Sequence, residues 1–380
     1  MHSLPEPTLS FTIPSLHDGK FLACRIYLPK RVAQIQSTKK GAILAHPYAP
    51  LGGSFDDPVV SIVGSEILNH DRILMTFNFR GAGDSEGRTS WTAKPECSDY
   101  ASVAGFFIQY LSRLDFEPKI SKKPSFNGSF GPVDVIMAGY SYGSMIATRC
   151  PALPSILAPF GSYLPGTFPA EVSLRAAHLA SETNEEYRQA RSTTIPNSRQ
   201  SIDHTLLVGG DEGSPRKSKE HRRSIDMRKS LDVMSRQMHL HKHSLRSKHK
   251  DKPKSTAIPE VSQDFDFQIK LSYLLISPLL PPISTFTALS FPFHNDHDIH
   301  TKKLTTSPTL AIFGSKDVFT ASKKLKLWGE GLQNVNRTFE WTEVDGAGHF
   351  WRESGTEEVL IDRIGKWIAS LDMTKSTALF

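Results

Sequence analysis

The chain has 380 residues, 38% hydrophobic and 22% charged, the balance of a water-soluble globular protein long enough for a large core. Three scattered cysteines, Cys24, Cys97 and Cys150, exclude a disulfide framework or a CxxC metal knuckle and point to a reducing, cytoplasmic setting. The net charge of +6 is local, because residues 211–254 alone carry 14 Lys/Arg against 6 Asp/Glu, so no general nucleic-acid surface is implied.

The opening stretch "MHSLPEPTLSFTIPS" has no apolar segment of the kind a signal peptide needs. "LSFTIPS" and "KFLACRIYLP" alternate around the turn "LHDG" and are predicted to form a β-hairpin. "GAILAHP" is a short unbroken apolar run, which suits a strand buried on both faces. "DDPVVSIVGSEILNH" follows as a helix, with Asp57 at the N-cap and Pro58 in the first turn. "RILMTFNFR" is the next strand and "ECSDYASVAGFFIQYLSRL" the next helix. "VDVIMAGYS" and "YGSMIATRC" make another strand–helix pair.

The alternation fades between 151 and 264. "PALPSILAPFG" and "PAEVSLRAAHLASETNEEYRQA" hold one or two helices, and 211–254 is too polar to offset its ordering entropy and is expected to be disordered. The uncharged stretch at 271–293 is long enough to span a bilayer, yet four prolines interrupt it, so it is read as a buried strand entering a Pro-rich loop. Order then returns with "TLAIFGS", the helix "ASKKLKLWGEGL", the strand "RTFEWTEVDG" and the helix "TEEVLIDRIGKWIASL". Strand–helix alternation on both sides of the break predicts one mostly parallel sheet covered by helices. The implied division is 1–150 and 265–372 as the two parts of one α/β domain, 151–264 as an insertion, and 373–380 as a tail.

The chemistry centres on "GYSYG", residues 139–143, at a strand-to-helix junction. A serine hydroxyl needs a base within hydrogen-bond reach to become a nucleophile, and donors for the oxyanion that forms. A sharp turn lifts Ser141 clear of the sheet and sets it at a helix N-terminus, where the dipole is positive. Side chains at the flanking positions would collide with neighbouring backbone in so tight a turn, hence Gly139 and Gly143. Composition alone would produce such a pattern about 0.1 times in a chain of this length, so it stands above chance.

With this elbow, and with "AHPYAPLGGS" and "FNFRGAGDSEG" each following a strand, the chain resembles the α/β-hydrolase superfamily over about 20–150 and 265–372. It is most similar there to small uncharacterised bacterial and fungal serine hydrolases. The resemblance implies an α/β-hydrolase fold with helices on both faces of the sheet and a large, partly disordered insertion. It also implies a triad in the order Ser, acid, His. Asp317 in "TLAIFGSKDVF" and His349 in "EWTEVDGAGHFW" stand in those places, and Asp296 or Asp298 is a second candidate for the acid. The oxyanion donors implied are the Tyr142 N–H and the Tyr48 N–H; Ala49 or a residue nearer Gly52 and Gly53 is an alternative, since Pro47 has no N–H. The expectation is therefore a serine hydrolase acting on a small-molecule ester, thioester or amide acyl group without a cofactor. The competing readings are a binding or tethering protein that uses its basic insertion, and a peripheral lipid hydrolase with 271–293 as its lid.

Several other features invite a role. His46 is read as a packed loop residue rather than a proton shuttle, and Arg80 with Gly81–Gly87 as a structural turn. Tyr140, Phe350 and Trp351 fit an acyl pocket or the core equally well. The histidine runs at 239–250 and 294–300 are not read as metal sites, because the second has Pro292 where a zinc run of that type needs its first histidine. The basic segment fits a solvated loop or a tether to an acidic surface or partner, with "RRS" at 222–224 as a weak basophilic kinase pattern. The sequons at Asn127 and Asn336 carry little weight without a secretion signal.

Overall fold

The computed structural model describes residues 3–30, 39–115, 132–194, 261–262, 265, 267–280 and 302–373. Strands β1 (Leu9–Pro14) and β2 (Phe21–Tyr27) form the hairpin, with Leu9 opposite Ile26 and Pro14 opposite Phe21. There follow β3 (Lys39–Ala45), helix α1 (Pro58–Asn69), β4 (Ile73–Phe77), α2 (Lys94–Ser112), β5 (Val133–Tyr140) and α3 (Tyr142–Arg149). Asp57 caps α1 as its sequence suggests, its Oδ1 accepting the Val59 N–H at 2.8 Å.

Residues 153–189, which begin the stretch read as an insertion, fold as α4 (Leu153–Gly161) and most of α5 (Phe168–Thr194). In α5 the buried residues Val172, Ala176, Leu179 and Ala180 recur at helical spacing and supply the apolar stripe that docks it. Two-residue strands β6 (Ser162–Tyr163) and β7 (Val261–Ser262) pair antiparallel as a separate small sheet. The described residues up to 189 and from 261 onward belong to one compact unit. The expected disordered segment 211–254, both histidine runs, Asp296, Asp298, Asn127, the 281–293 part of the uncharged stretch and the 374–380 tail lie outside the described residues.

The chain returns with β8 (Ile269–Ile276), β9 (Thr309–Gly314), α6 (Ser322–Val335), β10 (Phe339–Val344) and α7 (Thr356–Met373). The eight long strands form one sheet in the order β1-β2-β4-β3-β5-β8-β9-β10, and every long-strand pairing is parallel except those that β2 makes. This is the α/β-hydrolase fold. The uncharged run "LSYLLIS" is the buried strand β8, paired with β5 and β9. Among the described residues no helix is long and apolar enough to cross a membrane.

Strand alternation sorts side chains to the two faces. Leu44, Ile136, Ala138, Tyr140, Ile276 and Ile312 face α1 and α7 in one core cluster, which includes Val60, Ile364 and Trp367. On the opposite face a Cβ at Gly41 would strike Phe107 of α2, and Phe313 stacks on Trp341 beside α6. Covering both faces leaves the strand ends as the place where loops can meet, and the site is built there.

A buried lysine secures the far end of α3. Lys303 donates from Nζ to the carbonyl of Cys150, the residue that ends this helix, where a cation also suits the dipole. Burial pushes its ammonium down to about 8 from an ordinary 10.5, against upward pulls from Cys150 and Cys97. Below pH 8 the lysine is protonated in both folded and unfolded chains, and the fold bears the desolvation cost. Between pH 8 and 10.5 only the folded state sheds the proton, so stability rises with pH there. Relative to Lys303→Met, the wild type is expected to gain about 2–3 kcal/mol in unfolding free energy between pH 7.5 and 10. Urea titrations of both proteins at the two pH values check this, and parallel pH dependences would refute it.

Candidate active site

Ser141 lies between the end of β5 and the start of α3 with φ 56° and ψ −115°, a conformation that a side-chain-bearing residue rarely adopts. Such strain costs about 1–3 kcal/mol and persists only where the surroundings fix it. Here they do so on both sides. The Ser141 N–H donates to Ile276 O of β8 at 2.8 Å, and its carbonyl accepts from the N–H groups of Ser144 and Met145 and from Ser144 Oγ at 2.7 Å.

The two glycines allow the bend. A Cβ on Gly139 would lie 2.2 Å from Gly143 C, and one on Gly143 would lie 2.4 Å from Ala45 O. The turn is therefore folded onto itself and onto the end of β3, as the sequence argument from sterics requires.

The loops after β9 and β10 are joined by backbone hydrogen bonds. Ser315 N–H donates to Val344 O and Lys316 N–H to Ala347 O, both at 2.9 Å. Within this joined pair, Asp317 Oδ1 accepts the N–H groups of Phe319 and Thr320 at 2.8 and 3.1 Å, which fixes the carboxylate plane. Its Oδ2 then lies 2.7 Å from His349 Nδ1, and His349 Nε2 lies 2.8 Å from Ser141 Oγ. The structure thus brings Ser141, His349 and Asp317 into one hydrogen-bonded line, and all three are buried, with 6%, 3% and 8% exposure. A carboxylate on Nδ1 holds the proton there and leaves the Nε2 lone pair for the hydroxyl.

The Tyr142 N–H opens α3, and Tyr48 precedes the short 3₁₀ turn Ala49–Leu51. The two tyrosine rings lie 5.0 Å apart, so both segments border the elbow. Neither of these N–H groups enters a turn or cap hydrogen bond among the described residues. The alternative donors at Gly52 and Gly53 are engaged: their N–H groups donate to Ala49 O and Tyr48 O at 2.9 and 3.2 Å.

His46 is fully buried and structural. Its Nε2 accepts the Phe79 N–H at 2.9 Å, so its Nδ1 carries the proton and donates to Pro47 O at 2.6 Å. Burial pushes this imidazole down to about 4, which keeps it neutral and ties the loop after β3 to that after β4. Arg80 is likewise a structural anchor. It forks onto Asp99 at 2.8 and 2.6 Å and reaches Asp18 and Ser15 of the hairpin turn. Asn336 also serves internally, its Oδ1 accepting the Thr338 N–H at 3.0 Å.

The aromatic residues divide. Tyr140 and Trp351 belong to the core cluster, whereas Phe350 is 51% exposed with its ring 5.4 Å from that of His349. Phe319, absent from the sequence reading, places its ring 4.4 Å from the same imidazole. A cavity of about 410 Å³ lies against this loop, lined by residues that include Asp57, Tyr140, Phe350, Trp351 and Arg352. Ser141 does not line it. Three of its four acidic residues sit at helix starts, Asp57 capping α1 and Glu357 and Glu358 in the first turn of α7, and the fourth, Glu353, accepts the Gly348 N–H.

Three contacts around His349 were also beyond the sequence reading. Tyr140 donates its hydroxyl to His349 O at 2.9 Å, Trp351 Nε1 donates to Ser277 Oγ at 3.1 Å, and Glu353 accepts the Gly348 N–H at 3.0 Å. The only sequence signal for the first is the place of Tyr140 beside the serine.

No family model and no curated protein matches the chain. Solved structures similar to it include an α/β serine hydrolase homologue from Coxiella burnetii, 14% identical over 96% of this chain and 99% of that one, with a TM-score of 0.45. Another is an α/β serine hydrolase without a lid from Xanthomonas campestris, 13% identical over 97% of each chain, with a TM-score of 0.47. A third is an esterase from Pyrococcus furiosus, 12% identical over 95% and 90%, with a TM-score of 0.46. At these identities no residue's role carries across.

Proposed function

We propose that the protein is a serine hydrolase that cleaves an ester, thioester or amide acyl bond through an acyl-enzyme. The observation that carries the proposal is the line of hydrogen bonds from Ser141 Oγ through His349 to Asp317. In the first half-reaction Ser141 Oγ attacks the acyl carbon while His349 Nε2 takes its proton. The carbonyl oxygen becomes an oxyanion, and the N–H groups of Tyr142 and Tyr48 are assigned to receive it. The tetrahedral species then collapses and expels the alcohol, thiol or amine, which leaves with the proton from His349. Water enters, gives a proton to the same imidazole and attacks the acyl-enzyme, and collapse returns the proton to Ser141 and releases the acid. Asp317 accepts the Nδ1–H and stabilises the imidazolium as it forms.

The surroundings of the base favour an apolar acyl or leaving group. Phe319 and Phe350 border the imidazole, and Val318, next to the acid, is 78% exposed. The expected result is that a fluorophosphonate probe labels the wild type and fails to label Ser141→Ala. Labelling that survives the substitution would reject the nucleophile and the mechanism with it.

A further inference from the structure

Three brackets hold the loop that carries His349, and they differ in kind. Glu353 reaches Gly348 from an exposed position, and Trp351 reaches Ser277 at the end of β8. The third joins the base directly to the nucleophile's neighbour. Tyr140 is the last residue of β5, its peptide carbonyl is bonded to the Ser141 nitrogen, and its hydroxyl ends 2.9 Å from the His349 carbonyl oxygen. The tyrosine is 1% exposed, and its ring lies 5.6 Å from the imidazole. One rigid side chain thus spans the elbow and the loop, so the separation of Ser141 Oγ and His349 Nε2 is set by a strut anchored at both ends.

From this geometry we infer that Tyr140 is a positioning residue for the proposed reaction, setting the reach of His349 toward Ser141 without touching the reacting atoms. The inference rests on the serine hydrolase reading above. The cavity lined by Tyr140, Trp351 and Asp57 borders the strut. Burial also raises the phenol well above its ordinary range, so it remains a protonated donor throughout neutral and alkaline working conditions. A tyrosine at this position could serve as core filling alone, in which case its oxygen would affect stability and nothing else. The alignment of that oxygen with the carbonyl of the base assigns it the second duty. Small misplacements of reacting groups are costly in rate, with about 1 Å worth about 100-fold.

The test compares wild type and Tyr140→Phe by two readouts, with His349→Gln as the control for the second. The first is steady-state hydrolysis of a short p-nitrophenyl ester, where Tyr140→Phe is expected to lower kcat about 10- to 100-fold with KM within about twofold. The second is the downfield proton resonance of His349 Nδ1–H, assigned by its loss in His349→Gln, which reports the bond to Asp317 without any turnover. Tyr140→Phe is expected to shift or broaden it at a temperature where circular dichroism shows the variant folded. An unchanged kcat with a lowered melting temperature would overturn the inference and leave a filler role. Were the wild type to show no hydrolysis, the enzyme reading would fail by itself, and an unmoved resonance in Tyr140→Phe would overturn the positioning role independently.

Discussion

Substituting alanine for His349 is expected to lower kcat on a short p-nitrophenyl ester by about 10⁵- to 10⁶-fold, close to complete loss. The hydroxyl of Ser141 has the Nε2 of that imidazole as its acceptor at 2.8 Å, and without it the attack must expel a proton to water. Among the described residues no second imidazole stands in: His46 is held by Phe79 and Pro47 and is kept neutral by burial. The substitution also leaves the Asp317 carboxylate buried with its Oδ2 partner gone, though the N–H groups of Phe319 and Thr320 still hold its other oxygen. Stopped assays with matched circular dichroism separate lost chemistry from lost folding. Turnover within tenfold of wild type would refute the role of this histidine as base.

The second large effect is structural. Gly139→Ala inserts a methyl group 2.2 Å from the backbone carbon of Gly143 and 2.3 Å from its oxygen, where neither atom can yield without unwinding the start of α3. We expect a loss of more than about 4 kcal/mol, the range reserved for changes that force a backbone rearrangement. Soluble expression is expected to collapse, and any folded remainder should have a sharply lower urea midpoint with no probe labelling. A variant with the wild-type midpoint would mean that the elbow is looser than its contacts imply.

The sheet was the most legible part of the molecule. Its central strands are unbroken apolar runs such as "GAILA" and "VDVIMAG", and their alternation with helices that carry apolar stripes fixes a parallel, two-sided layout. The elbow was legible too, because its steric demand falls on two glycines at fixed spacing. Asp317 and His349 were legible by order alone, each following a late strand, with Asp296 or Asp298 as second candidates for the acid; among the described residues it is Asp317 whose Oδ2 lies 2.7 Å from His349 Nδ1. What the sequence hid depends on contacts between distant segments. The strut from Tyr140 spans 209 positions, the Trp351 bond to Ser277 spans 74, and the tautomer of His46 is set by Phe79. The pairing of β6 with β7 was hidden for another reason, since two residues per strand leave no periodicity to read.

The pairing of β5 with β8 has a consequence for how the chain reaches its final form. The strand that presents the serine lies at the middle of the sheet, yet the neighbour on one side, β8, is made more than a hundred residues later. During synthesis from the N-terminus the earlier strands can assemble while β5 still shows a bare edge, a template for unwanted association. Loop-closure entropy must be met before that edge is covered, which makes docking of the last three strands a slow, late event. In a nascent chain Ser141 would therefore be without its neighbours His349 and Asp317 until nearly all of the chain has left the ribosome.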